Sequence, residues 1–142
     1  MTWEPTSATS PENLYAIVVA TRNGGERTEF LMVRHRERGW ELPGGKLEDN
    51  EGPVHCALRE FREETGHLLS SPKYVMKLQK PDGTCHVFTG NLGARVNDVR
   101  ADEAIEAMDW YSRLPPLEDL AFPDDPYDEL GAALGIDFGH AS

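Results

Sequence analysis

Basic charge is what this sequence lacks most. Its 14 Lys and Arg face 25 Asp and Glu, for a formal net charge of −11 and a pI near 4.8. Such a balance excludes an electrostatic grip on nucleic acid or on an anionic membrane, since both need a basic surface. A polyanionic ligand would need a local positive centre. Lysine is the scarcer cation, at four against ten arginines. That preference resembles proteins of salt-loving organisms, where screening makes dense surface carboxylates tolerable. Cysteine is scarce too: Cys56 and Cys85 lie far apart, without CxxC spacing. This disfavours a disulfide framework or zinc site and predicts two reduced core or near-core thiols. No apolar run approaches the roughly 18 residues of a membrane span. The start "MTWEPTSATSPEN" has no basic segment followed by an apolar one, so it does not read as a secretory signal. Together these absences predict a soluble, cytoplasmic protein that binds neither nucleic acid nor membrane; a monomer or homodimer is expected, a choice that the sequence itself does not make.

The remaining pattern is that of one folded domain. Residues 1–12, rich in Ser, Thr and Pro, read as a flexible leader, and residues 13–142 have the length for a single core. "NLYAIVVAT" (13–21) and "EFLMVRHR" (29–36) are β-branched, apolar runs on either side of "RNGGER", which predicts a hairpin. "KYVMKLQK" and "TCHVFTGNLG" flank the turn "PDG" and predict a second hairpin. "IEAMDWYS" (105–112) reads as a further strand and "YDELGAALG" (127–135) as a C-terminal helix. Hairpins with two helices, in place of regular βαβ units, predict an α+β or layered α/β/α domain around a mixed sheet.

Between these lies "GPVHCALREFREETG" (52–66), a predicted helix with Pro53 at its first position and Gly66 as its stop. Val54, Ala57, Leu58, Phe61 and Thr65 make its apolar stripe, while Glu60, Glu63 and Glu64, at i, i+3 and i+4, share another face. A carboxylate triple is ordinarily a solvated face. Here it stands beside Gly44-Gly45, where a backbone without side chains can approach a ligand, and beside Arg59, which can pair with Glu51 and brace the loop against the helix. A hard divalent cation would turn such a face into a site, because Mg²⁺ takes carboxylate oxygens and leaves places for water and phosphate.

Residues 45–67 resemble the signature of the Nudix hydrolases, Gly-x5-Glu-x7-Arg-Glu-apolar-x-Glu-Glu-x-Gly-apolar. Gly45, Glu51, Arg59, Glu60, Phe61, Glu63, Glu64 and Gly66 fill their places, and His67 stands where an apolar residue is usual. "GWELPGG" (39–45) resembles the strand that leads into this box, and "EAIEAMDWYSRLPPLEDLAF" (103–122) resembles the family's later pattern. The resemblance implies an α/β/α sandwich and an Mg²⁺- or Mn²⁺-dependent enzyme that cleaves a nucleoside diphosphate linked to another group. It implies Glu63 and Glu64 as metal ligands, Glu60 as ligand or general base, and the Gly44 carbonyl as a further ligand. Glu51 and Arg59 are implied as a brace of the catalytic loop, and Glu103 or Glu106 as a later acidic residue that completes the metal set.

Arg34, Arg36 and Lys46 are the nearest positive groups for phosphates, and Asp124 and Asp125 fall near the region that reads the base in triphosphate-cleaving members of the family. Tyr15, Trp40, Phe88 and Trp110 are expected in the core, and His35, His55 and His86, lacking ligand spacing, in structural roles. The resemblance implies a small nucleotide substrate, first a nucleoside triphosphate, oxidised or not, cut to monophosphate and pyrophosphate. ADP-ribose cleavage and a catalytically silent nucleotide-binding module are the alternatives.

Overall fold

The computed structural model describes residues 13–96 and 101–139; the leader expected at 1–12 lies outside them. Strands β1 (Asn13–Asn23) and β2 (Thr28–His35) form the first hairpin, with Thr21 opposite Phe30. Two three-residue strands, β3 (Gly39–Glu41) and β4 (Gly44–Lys46), lead into α1 (Pro53–Thr65). The second hairpin is β5 (His67–Lys80) and β6 (Gly83–Arg95). Strand β7 (Ile105–Tyr111), a 3-10 turn (Leu117–Asp119) and α2 (Tyr127–Leu134) follow.

The sheet runs β3-β2-β1-β6-β5, with β4 added to β1 and β7 to β2. It is mixed, because β1 and β6 run parallel from Asn13↔Gly83 to Ala20↔Gly90 while the other pairs are antiparallel. Strand alternation then builds two cores on opposite faces. Ala16, Val18 and Ala20 of β1, with Leu31 and Phe88, pack under Cys56, Ala57 and Phe61 of α1. Val19, Phe30, Met32, Leu78 and Val87 point the other way and pack under Tyr127 and Leu130 of α2. The predicted layered α/β architecture is thus present. No helix among the described residues is long and apolar enough to cross a membrane.

Helix α1 begins at Pro53 and stops at Gly66, whose φ of 75° is left-handed and whose N–H returns to the Arg62 carbonyl at 2.9 Å. Its buried stripe is shifted from the expected one: Cys56 is fully buried, whereas Val54 is 39% exposed. Val54 lies in the first turn of the helix. Phe61, fully buried, contributes roughly 2–3 kcal/mol and fixes the helix rotation that the site needs.

Strand β5 reaches further back than "KYVMKLQK", because its first half is an edge ribbon with register shifts between His67 and Leu69 and between Ser70 and Lys73. Pro72 is tolerated at such an irregular edge, and Ser71 takes a φ of 53°. His67, at the atypical position of the box, anchors this stretch through Nδ1, 3.0 Å from the Gly93 carbonyl.

Candidate active site

Arg59 holds the loop before α1 to the helix. Its Nε and Nη2 donate to the two carboxylate oxygens of Glu51 at 2.7 and 2.9 Å, and Nη2 also reaches the Lys46 carbonyl at 3.3 Å. Glu51 accepts in addition from the Glu48 N–H at 2.9 Å. The Arg59 guanidinium holds the Glu51 carboxyl down to about 2. Because that value lies below the ordinary 4.5, the pair stabilises the fold above about pH 4.5, and the contribution is lost as pH falls through about 2.

With the loop fixed, the carboxylates of α1 meet β4. Gly44 lies opposite Ile17 on β1, between the Val18-to-Pro43 and Leu47-to-Leu14 hydrogen bonds, so its own N–H and carbonyl face away from β1. That N–H donates to Glu64 Oε1 at 3.0 Å. A Cβ on Gly45 would run into the Glu60 carboxylate, whereas one on Gly44 would run into the backbone of Ala16 and Ile17. The two glycines therefore differ. Gly45→Ala is expected to displace only the flexible end of Glu60, lowering turnover at least about tenfold with little change in melting temperature. Gly44→Ala is expected to destabilise the fold itself. Parallel melts and activity assays of the two variants check this; a Gly45→Ala protein with wild-type turnover would contradict it.

Oxygens of Glu60, Glu64 and Asp102 come within 4.8 Å of one another. Burial pushes Glu64 up to about 9, with Glu60, Glu41 and Asp102 adding to the rise and the Gly44 N–H opposing it. Burial also lifts Glu60 to about 7, with Arg59 opposing and Glu63, Asp102 and Glu51 adding. Carboxyls this buried and this close resist ionising together unless a cation joins them. Every donor is a carboxylate oxygen, which suits Mg²⁺ or Mn²⁺ and not a thiophilic metal. The residues present therefore fit the divalent ion that the box implies.

Asp102 was not anticipated. Its N–H donates to the Glu63 carbonyl at 2.9 Å, which ties the 101–104 loop to the last turn of α1, and its Oδ1 accepts the Ala104 N–H at 2.9 Å. An Asp two residues before a free backbone N–H is a turn signal in sequence, but nothing there says which helix the turn will meet. Glu103 is exposed and Glu106 lies on β7, 3.3 Å from Arg34, so neither joins the trio. Glu63 sits at its rim, 3.3 Å from Arg59 Nη1, and shares an acidic recess with Glu48, Asp102 and Glu103.

A pocket of about 480 Å³ opens on the other side of Gly44 and Gly45. Tyr15, Ile17, Leu42, Cys85, Phe122 and Tyr127 supply apolar walls, and its charged groups come largely as pairs. Lys80 Nζ lies 2.7 Å from Asp125 Oδ1, and the Tyr15 hydroxyl donates to Asp82 at 2.7 Å. Arg38 donates to both oxygens of the buried Glu41 at 3.0 Å.

The expected phosphate and base contacts divide accordingly. Lys46 and Asp125 line the pocket, while Arg34, Arg36 and Asp124 do not; Arg36 is turned to the Glu103 carbonyl at 2.5 Å. Sequence reasoning missed Arg38, Glu41, Lys80 and Phe122. Of the four aromatics expected in the core, Phe88 is buried, Trp40 packs edge-on against Tyr111 at 5.1 Å, Trp110 lies under Arg22 at 4.4 Å, and Tyr15 lines the pocket. His35 accepts backbone N–H groups of its own turn, from Glu37 at 3.1 Å and Arg38 at 3.2 Å; His86 meets the Tyr74 hydroxyl at 3.1 Å, and His55 is exposed.

The box, the layered fold and the carboxylate trio agree with the NUDIX domain family, whose model matches residues 12–129. The chain belongs to the Nudix family. It is 29% identical over 106 residues to an 8-oxo-(d)GTP phosphatase of Mycolicibacterium smegmatis, covering 72% of this chain and 33% of that protein. It is 41% identical over 105 residues to a Streptomyces rubellomurinus CMP-5'-(N-acetyl-N-hydroxy-3-aminopropyl)phosphonate hydrolase, covering 68% and 49%. The chain thus spans a third to a half of the length of these curated relatives. Among solved structures, a Bacillus subtilis pyrophosphohydrolase has the same fold, with a TM-score of 0.67 and 24% identity over 89% of this chain and 82% of that one.

Proposed function

We propose that this protein is an Mg²⁺- or Mn²⁺-dependent Nudix phosphohydrolase that cleaves a nucleoside triphosphate, oxidised or not, to the monophosphate and pyrophosphate. The observation that carries the reading is the trio of Glu60, Glu64 and Asp102, gathered beside Gly44-Gly45, the two glycines that also line an aromatic-walled pocket. The triphosphate choice is supported by the relative named for 8-oxo-(d)GTP.

In this reading Glu64 and Asp102 would hold the divalent ion, with Glu60 as a further ligand or the general base, Glu63 at the rim and the outward Gly44 carbonyl completing the oxygen set. The ion, when bound, would neutralise phosphate oxygens and lower the pKa of a water. The chain's own residues do the rest. Glu51 and Arg59 fix the loop, so that Gly45 lies against Glu60 without a side chain between them. Where Glu60 is not a ligand, it is the carboxylate that takes a proton from the attacking water. Leu42, Phe122 and Tyr127 shield the base from solvent, while Lys80 and Asp125 offer a donor and an acceptor to its edge.

The test is a product analysis. With Mg²⁺, deoxynucleoside triphosphates and 8-oxo-dGTP are expected to yield pyrophosphate and monophosphate, with ADP-ribose at least about tenfold poorer in kcat/KM. Efficient release of AMP and ribose 5-phosphate from ADP-ribose, with triphosphates untouched, would reassign the substrate. No hydrolysis of either, with retained nucleotide binding, would indicate the silent module.

A further inference from the structure

We infer that Arg38, oriented by the buried carboxylate of Glu41, is the residue that receives the phosphate chain of the substrate, in place of the arginines the sequence suggested. The inference rests on the nucleotide-hydrolase reading above and goes beyond it in naming the positive centre that so acidic a chain needs.

Glu41 is 5% exposed, in the strand that leads to the two glycines. Arg38 meets it side-on, Nε to Oε1 and Nη2 to Oε2, both at 3.0 Å. A pair in that geometry immobilises the guanidinium plane and leaves its outer edge, Nη1 and the second Nη2 hydrogen, unused by Glu41. That edge belongs to a side chain that is 47% exposed and lines the pocket together with Gly44 and Gly45. The Phe122 ring lies 5.7 Å from the guanidinium carbon and limits its swing. Glu64 and Asp102 act on Arg38 through space, so its charge in turn reaches the carboxylates of the trio.

The other cations are worse placed. Lys80 is matched by Asp125 at 2.7 Å, Arg34 faces Glu106 at 3.3 Å on β2 and β7, and Arg59, besides its pair with Glu51, turns its remaining nitrogen Nη1 to Glu48, Glu60 and Glu63. Lys46 also lines the pocket and is exposed like Arg38, but among the described residues no ion pair orients it, and its ammonium is a point charge without a planar fork. A planar, pre-oriented fork suits the paired oxygens of a phosphate, and here it can offset the repulsion that the acidic cluster exerts on a polyphosphate.

Calorimetry with the intact protein and Mg²⁺ tests this, using α,β-methylene dGTP as the phosphate-bearing probe and deoxyguanosine as the phosphate-free one. Arg38→Gln is expected to weaken the methylene analogue at least tenfold while leaving deoxyguanosine and Mg²⁺ affinity within twofold. Arg38→Lys keeps the charge but not the fork and should recover only part of the loss. Glu41→Gln, a positioning change, should raise KM several-fold with kcat held within twofold; circular dichroism and thermal melts confirm that each variant is folded.

An unchanged affinity for the analogue in Arg38→Gln, or an equal loss for deoxyguanosine, overturns the inference, the second outcome making Arg38 a base contact. If the wild type binds ADP-ribose and not the analogue, the triphosphate reading fails on its own. A tenfold loss of ADP-ribose affinity in Arg38→Gln then still supports the phosphate role, and no loss overturns it. Binding of neither ligand by the wild type overturns both.

Discussion

Metal-free Glu64→Gln protein is expected to melt higher than the metal-free wild type at pH 8, by roughly 5 °C or more, and with Mg²⁺ supplied to hydrolyse about a hundredfold or more slowly than the wild type. Both effects come from one feature. Burial holds the Glu64 carboxyl up at about 9, and Glu60 at about 7, against an ordinary value of 4.5. A carboxyl raised in the folded state contributes its full stability below about pH 4.5 and loses it as pH rises through the folded value. The metal-free wild type should therefore lose melting temperature from about pH 5 to pH 9, and Mg²⁺ should restore it, because an ion that binds only the folded state stabilises it by mass action.

Glutamine keeps the acceptor for the Gly44 N–H and removes the charge, so the variant escapes the share of the alkaline loss that Glu64 carries and is rescued less by the ion. Melts at pH 5 and pH 8, with and without Mg²⁺, together with turnover, measure all of this. A variant that melts with the same pH slope as the wild type would show that Glu64 is not held protonated by its surroundings.

The second large effect separates three neighbouring acids. Asp102→Asn is expected to reduce turnover at least about tenfold and to weaken Mg²⁺ binding, since it removes one of the three converging charges. Glu103→Gln and Glu106→Gln should change either quantity by less than about twofold. Glu103 is exposed, with its carbonyl occupied by Arg36, and Glu106 forms a surface pair with Arg34 that is worth little. Asparagine retains an oxygen for the Ala104 N–H, so the loop should stay in place and melting should change little. If Glu103→Gln or Glu106→Gln is the damaging variant instead, the loop carries its metal ligand on another residue.

How much of this was legible beforehand follows from the distance over which each feature is decided. Helix α1 could be read because its start, stop and period are local: Pro53, Gly66 and the spacing of Ala57, Phe61 and Thr65 act within a few residues of one another. The pairing of Glu51 with Arg59 could be read because Glu51 stands just before the helix and Arg59 lies within it, only about two turns further on. The early part of β5 could not, because "HLLSSP" has the composition of a loop and becomes a strand only through its irregular pairing with β6. The misplaced stripe residue Val54 has the same cause. Helical periodicity gives a direction, but which positions along it are covered is decided by the packing of distant segments, and Cys56 is buried where Val54 is not.

The sequence by itself determined the family box, two hairpins, two helices and an acid-rich helix face, since each rests on spacing within one segment. Only the tertiary structure decided which acid and which arginine face the site. Asp102 joins Glu60 and Glu64 because its backbone docks on the end of α1, some forty residues earlier in the chain. Arg38 lines the pocket and Arg34 and Arg36 do not, because the turn after β2 sends Arg38 back over Glu41 while the other two are claimed by Glu106 and Glu103. A side chain's charge is written in the sequence, but the partner that neutralises it or leaves it available is set by contacts between distant segments, and those contacts determine its effective chemistry.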